Sequence, residues 1–248
     1  MLQTPELCKV IEALYRAFQR YELRGNTDAC SCHHTAEDEQ RLHQKPLRKL
    51  SRNDLRDYAM DAVYTWGTGD DFKHFIPRLF ELLAQAPNHG HDFVHSASVF
   101  GKLAYESWCS SSWRSWPEGE QQAISDYFGA VWNAALSSNP EELPFDGVHG
   151  WIQAIAQAEH DLTRYLDHWF GASSVNSHRN LALMITQEGL PHTKSPSGGY
   201  WAGHRQQWQQ LNDWLRLPEV RQKLVNAVER WSDSPFATEL QDAAILLP

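Results

Sequence analysis

Leu55, Tyr58, Ala59, Ala62, Val63 and Trp66 recur three and four residues apart, so a helix through this stretch carries one wholly apolar face. The same spacing runs through most of the chain, and it narrows the fold more than any other feature. Leu7, Ile11, Leu14, Phe18 and Tyr21 form one stripe, ended by Arg24-Gly25-Asn26. Phe72, Phe75, Ile76, Leu79, Phe80, Leu82 and Leu83 form another, in a helix expected over 70–86 with Pro77 inside it as a potential kink. No stretch alternates in twos between turn pairs, so little or no sheet is expected.

Start and stop signals agree with this period. Thr4-Pro5-Glu6 opens the first helix with a capping residue and a first-turn proline. Thr35-Ala36-Glu37-Asp38 has the form of a capping box, Ser51-Arg52-Asn53-Asp54 opens the next helix, and Gly67 is placed to end it. Further helices are expected from Phe93 to Ser107, from Trp116-Pro117-Glu118 through Leu136, and near Val148–Gln157, Asp161–Phe170 and Val175–Gln187. Three more begin near Tyr200, Pro218 and Pro235, and Gly189 to Gly199 reads as a loop. The expected fold is all-α, about ten amphipathic helices in antiparallel pairs, forming a HEAT-like helical stack or an irregular bundle. Pro140 and Pro144 mark the strongest break, dividing an N-terminal helical subdomain, 1–139, from a C-terminal one, 140–248, expected to pack as one continuous unit. Most of the 11 tryptophans fall among Leu, Ala and Val at helical spacing and are read as core-filling residues.

Composition then excludes several function classes. The net charge of −9 argues against a generic nucleic-acid binder, which needs a basic face, and suits a soluble chain or one that meets a basic partner. No apolar run approaches the roughly 20 residues that span a bilayer, so no membrane association is expected. The opening stretch lacks a basic region followed by a continuous apolar one, and the expectation is a cytoplasmic protein. The four cysteines fit that compartment: Cys30 and Cys32 read as too close for an easy structural bridge, and Cys8 and Cys109 are scattered. No nucleophile elbow, phosphate loop, dinucleotide turn or H-E-x-x-H motif is present.

Three clusters carry chemistry. In "DACSCHHTAEDEQRL" the residues Cys30, Cys32, His33 and His34 precede a helix start. Thiolate and imidazole are zinc donors, and Cys30 with His33 forms C-x2-H, so Cys30, Cys32 and His33 are candidate ligands of a structural zinc that would fasten the N-terminal helices. Any remaining ligand would come from His43, Cys8 or a distant helix; an ordinary loop, or a thiol activated at a helix N-terminus, are the other readings. In "NHGHDFVH", His89, His91, Asp92 and His95 bring to mind HD-type metal phosphohydrolases, with His74 and Asp126 as nominal further ligands. The plain reading is a polar loop with Asp92 as a helix cap. In "TWGTGDDFKHF", Trp66, Asp70, Asp71, Lys73 and His74 stand at a helix–helix turn that could contact a partner, although first-turn acids are also explained by the helix dipole.

The knot "CSCHHTAEDEQRL", the following "KPLRKLSRNDLRDYAMDAVYTWGTGDDFKHFIPRLFELL" and the later "WLRLPEVRQKLVNAV" together resemble a family of uncharacterised bacterial proteins of similar length. Their usual knot is C-x2-C, with Cys30 matching the first position and His33 the second, while Cys32 stands out of step. The resemblance implies a helical fold and a bacterial source, and no activity. The functional expectation rests instead on the acidic all-helical scaffold, its abundant aromatics and the missing catalytic signatures: a non-catalytic, protein-binding helical scaffold, with an immunity or antitoxin-like cap for a basic partner as its specific form. The alternative is a metal-dependent hydrolase using the His, Cys and Asp clusters.

Overall fold

The computed structural model describes residues 2, 4–85, 93–104, 112–143, 147–191 and 198–248. Twelve α-helices and no strand occur among them: α1 Pro5–Phe18, α2 Ala36–His43, α3 Arg52–Asp61, α4 Gly69–Ala84, α5 Ser96–Phe100, α6 Glu118–Ser137, α7 Gly147–Ala158, α8 Thr163–Gly171, α9 Val175–Glu188, α10 Arg205–Leu215, α11 Pro218–Arg230 and α12 Ala237–Leu246. The all-α expectation holds, and no described helix is long and apolar enough to cross a membrane.

The chain divides into two compact units, 1–131 and 132–248, with the division falling inside α6. In the first unit α1 packs on α4, burying Leu7, Leu14 and Phe18 together with Phe72, Phe75 and Leu79. Phe80, Phe100, Tyr127 and Phe128 form an aromatic cluster, in which the Tyr127 hydroxyl donates to the Phe80 carbonyl at 2.8 Å. In the second unit α12 packs against α9 and α11. Trp132, Trp169 and Trp214 are buried in ring contact there, and the first two satisfy their indole N–H on the carbonyls of Tyr165 and Ser177.

Three consecutive helices of the first unit start with the same device. Thr35 with Asp38, Ser51 with Asp54, and Thr68 with Asp71 each form a reciprocal capping box, the hydroxyl accepting from the third helical N–H and the aspartate accepting from the capping residue's own N–H. All three aspartates titrate below the usual value. For Asp38 the Thr35 amide is the main cause. Asp54 is raised by burial but pulled down further by Lys45 and Ser51, to about 2, and Asp71 is likewise raised by burial but brought below its ordinary value by Arg24 and Thr68.

Several boundaries differ from the periodic reading. α1 stops at Phe18, because Tyr21 and Arg24 are drawn onto α4 and α6: the Tyr21 carbonyl accepts from His74 Nδ1 at 2.7 Å, and its hydroxyl donates to Glu120 at 2.7 Å. The helix expected to end at Ser107 is a short α5 followed by a 3-10 turn, Gly101–Ala104, beyond which 105–107 lie outside the described residues. At Tyr200 the chain makes a 3-10 turn, and α10 starts only at Arg205. Pro77 sits buried within an uninterrupted α4.

Candidate functional site

The turn between α3 and α4 is built against backbone preference. The Asp61 carbonyl accepts from the amides of Tyr64, Thr65 and Trp66, and Val63, buried, is held at φ 62°. A β-branched residue in the left-handed region is strained, and such strain persists only where neighbouring contacts over-determine it. Gly67 follows at φ 77°; a Cβ there would sit 3.2 Å from the Asp71 Cβ, so the turn needs both glycine's freedom and its lack of a side chain.

Onto this turn the irregular segment after α1 is fastened at three points. Arg24 grips Asp71 with two hydrogen bonds, Nε to Oδ1 at 3.0 Å and Nη2 to Oδ2 at 2.6 Å, and Asp71 is 1% exposed. The Trp66 indole N–H donates to Thr27 Oγ1 at 2.7 Å and to Glu39 Oε2 at 3.0 Å, while the Thr27 hydroxyl donates to the same carboxylate. The Cys30 amide donates to the Thr65 carbonyl at 2.8 Å. His34 completes the attachment: its ring packs on Trp66 at 4.2 Å, with Nε2 3.4 Å from both Asp61 and Thr65.

The Cys/His loop is thus carried on a fixed platform. Cys30 accepts amide hydrogen bonds from His33 and His34 at 3.0 Å, a single tight turn that gathers the side chains. Cys30 is half-buried, Cys32 and His33 are exposed, and their donor atoms all lie within 4.8 Å of one another. This is the one grouping of three such donors among the described residues. The sulfurs of Cys30 and Cys32 lie at disulfide distance, with their Cα atoms 5.4 Å apart. That corrects the expectation that the pair is too close to bridge, because the turn sets a Cα separation within the ordinary disulfide range. His33 Nδ1 is 3.0 Å from Cys32 Sγ.

Two chemical states follow from this geometry. As a disulfide the pair has no thiolate to offer a metal. Reduced, it supplies two thiolates beside an imidazole, a donor set for a thiophilic cation that lacks a fourth protein ligand within the group. All three donors come from one turn, so a bound ion would not tie helices together. Buried contacts do that instead. His43, the nominal fourth ligand, lies 3.2 Å from Glu39 on its own helix, and Cys8 is an exposed free thiol on α1.

The proposed partner-contacting residues separate. Trp66 and Asp71 are buried and engaged as described. Lys73 lies 4.1 Å from the Trp116 ring and 3.3 Å from Glu120, and His74 hydrogen-bonds the Tyr21 carbonyl. Asp70 alone of the five is exposed. Of the histidine-rich cluster, His89, His91 and Asp92 lie outside the described residues, as does Cys109. His95 Nδ1 accepts from the Ala97 amide as a helix cap, and Asp126 accepts from Gln122. Sequence reasoning missed Arg24 and Thr27, polar residues in an aperiodic stretch whose partners lie 47 and 39 positions away.

No protein-family model, curated protein or solved structure matches this chain.

Proposed function

We propose that this chain is a non-catalytic, helical binding protein whose working element is the loop at Cys30, Cys32 and His33. In the reduced state that loop takes one thiophilic divalent cation, zinc being the natural choice for two thiolates and an imidazole. The convergence of these donors within 4.8 Å on an outward-facing turn carries the reading. A loop held by buried contacts from beneath has its donors pre-positioned, which lowers the ordering cost of coordination. The group supplies three donors, so a fourth ligand would have to come from water or from a docked protein.

Protein docking is supported by the same platform. Met60 and Tyr64, 48% and 43% exposed, stand at the end of α3 and in the turn that holds Cys30. The chain's net charge of −9 favours encounter with a basic partner.

The reading is tested by titrating the chemically reduced full chain with cadmium and following thiolate-to-cadmium absorption. One equivalent should bind, the disulfide form should take none, and His33→Ala should bind more weakly. A Cys30→Ser/Cys32→Ser variant should lose the signal with its circular-dichroism spectrum intact, because these side chains are not in the core. Equal uptake by the reduced parent and the double variant would contradict the assignment.

A further inference from the structure

A groove of about 380 Å³ opens in the second unit, lined by residues of α8, α11 and the first turn of α9. Its volume falls at the lower end of the usual range for small-molecule sites, about 300–1,000 Å³. The walls are mainly apolar. Phe170, Ala227 and Trp231 supply them, and Phe170 remains 43% exposed although a large ring gains by being covered.

Its charged groups are unbalanced. Lys223, Arg230 and His178 line the groove against one acid, Glu219. Lys223 is committed to the fold: its Nζ donates to the Phe170 and Ala172 carbonyls, closing the end of α8 with no carboxylate partner among the described residues. Arg230 lies 4.9 Å from the Trp231 ring, is exposed, and has no carboxylate in ion-pair reach among the described residues. His178 is 6% exposed, with its ring against Trp231 at 4.9 Å. Its Nδ1–H donates to the Ser174 carbonyl at 2.8 Å, since a carbonyl can only accept, and this leaves Nε2 uncommitted. Burial, reinforced by the charges of Lys223 and Arg230, outweighs the Ser174 hydrogen bond and holds His178 below the usual histidine value. At neutral pH its Nε2 is therefore a lone-pair acceptor.

We propose that this groove binds a small organic monoanion, with a flat apolar body against Trp231 and Phe170, a carboxylate at Arg230, and a hydroxyl or N–H donor at His178 Nε2. A neutral apolar molecule leaves the guanidinium and the imidazole nitrogen unanswered. A cation meets two like charges. An anion with an apolar body answers the aromatic walls and the surplus of positive charge at once.

Equilibrium dialysis of the full chain against 6-hydroxy-2-naphthoate tests the assignment. Saturable binding of one molecule per chain is expected. 2-Naphthol, which lacks the carboxylate, and 2-naphthoate, which lacks the hydroxyl, should each bind about tenfold more weakly, as expected for loss of one hydrogen bond to a polar or charged group. Arg230→Gln should weaken the probe by a similar factor with an unchanged circular-dichroism spectrum, since Arg230 is a surface residue. His178→Phe, which keeps a ring against Trp231 and removes the acceptor, should bind the hydroxylated probe no better than 2-naphthoate; if that variant does not fold, the comparison of the two naphthoates stands alone. Cys30→Ser/Cys32→Ser should bind the probe like the parent, which separates this site from the thiol loop. The proposal is overturned by an absence of saturable binding up to about 1 mM, by equal affinity of the parent and Arg230→Gln, or by 2-naphthol binding as tightly as the acid.

Discussion

Trp66→Ala is expected to lower the unfolding free energy by about 4 kcal/mol, the largest effect of any single substitution around the Cys/His loop. Most of that cost is the cavity left by an indole that is 2% exposed and packed edge-on against Tyr58 at 5.5 Å. The remainder comes from Thr27, fully buried, and Glu39, which lose the indole N–H they share. Trp66→Phe separates the two contributions, retaining much of the volume and removing only the donor, at an expected cost of about 1–2 kcal/mol. Urea unfolding followed by far-ultraviolet circular dichroism measures both. Because His34 and the Thr27 segment rest on this ring, Trp66→Ala should also weaken cation binding by the reduced loop, by about tenfold, the size typical of losing a group that orients metal ligands. Two variants differing by less than about 1 kcal/mol would show that the ring's bulk is not what holds the turn.

Asp71→Ala is expected to cost about 3 kcal/mol, through loss of charge-assisted hydrogen bonds from Arg24 and of half the capping box of α4. The cost stops there because Arg24, 43% exposed in its side chain, returns to water when its partner is removed. Arg24→Ala should cost at least as much, since Thr68 donates only to Oδ2 and the buried carboxylate keeps its charge with Oδ1 stripped of its donor. The pH dependence has a definite sign. Asp71 titrates lower in the folded chain than its ordinary 3.8, so its contribution is complete above pH 3.8 and disappears as pH falls through the folded value. The deficit of Asp71→Ala should accordingly shrink in acid. Asp38 and Asp54 act in the same direction, and with Asp54 near 2 the parent should lose stability progressively between about pH 4 and pH 2. A deficit that stays constant from pH 6 to pH 2 would show that the Asp71 carboxylate does not contribute as a charge.

What was legible beforehand follows from the range of each interaction. Helices were readable because their determinants are local: a three-and-four apolar period sets the buried face, and Thr35, Ser51 and Pro5 mark the starts within four residues. Trp66 shows where local reading ends. Its burial was visible from the apolar period, but that period runs the helix on to Gly67, whereas α3 ends at Asp61 and Trp66 stands in the turn beyond it. Thr27 and Glu39, which receive its N–H, lie in the segment after α1 and in α2. Lys73 and His74 were legible as polar residues off the apolar face of α4, and not as partners of Tyr21, which the period assigned to α1 and the fold places beyond it. The convergence of the donor side chains Cys30, Cys32 and His33 was legible because all three stand within four positions. Its disulfide alternative was not, since the Cα separation depends on how the turn closes. The groove at His178, Arg230 and Trp231 left no motif at all, being assembled from residues more than fifty positions apart.

X-ray absorption of the reduced full chain loaded with one equivalent of zinc addresses the loop directly. Two sulfur scatterers at about 2.3 Å, one imidazole nitrogen at about 2.0 Å and a single further light atom are expected, with both sulfurs absent from the Cys30→Ser/Cys32→Ser variant. A zinc surrounded only by oxygen and nitrogen, or one whose sulfur shell survives that double substitution, would contradict the account.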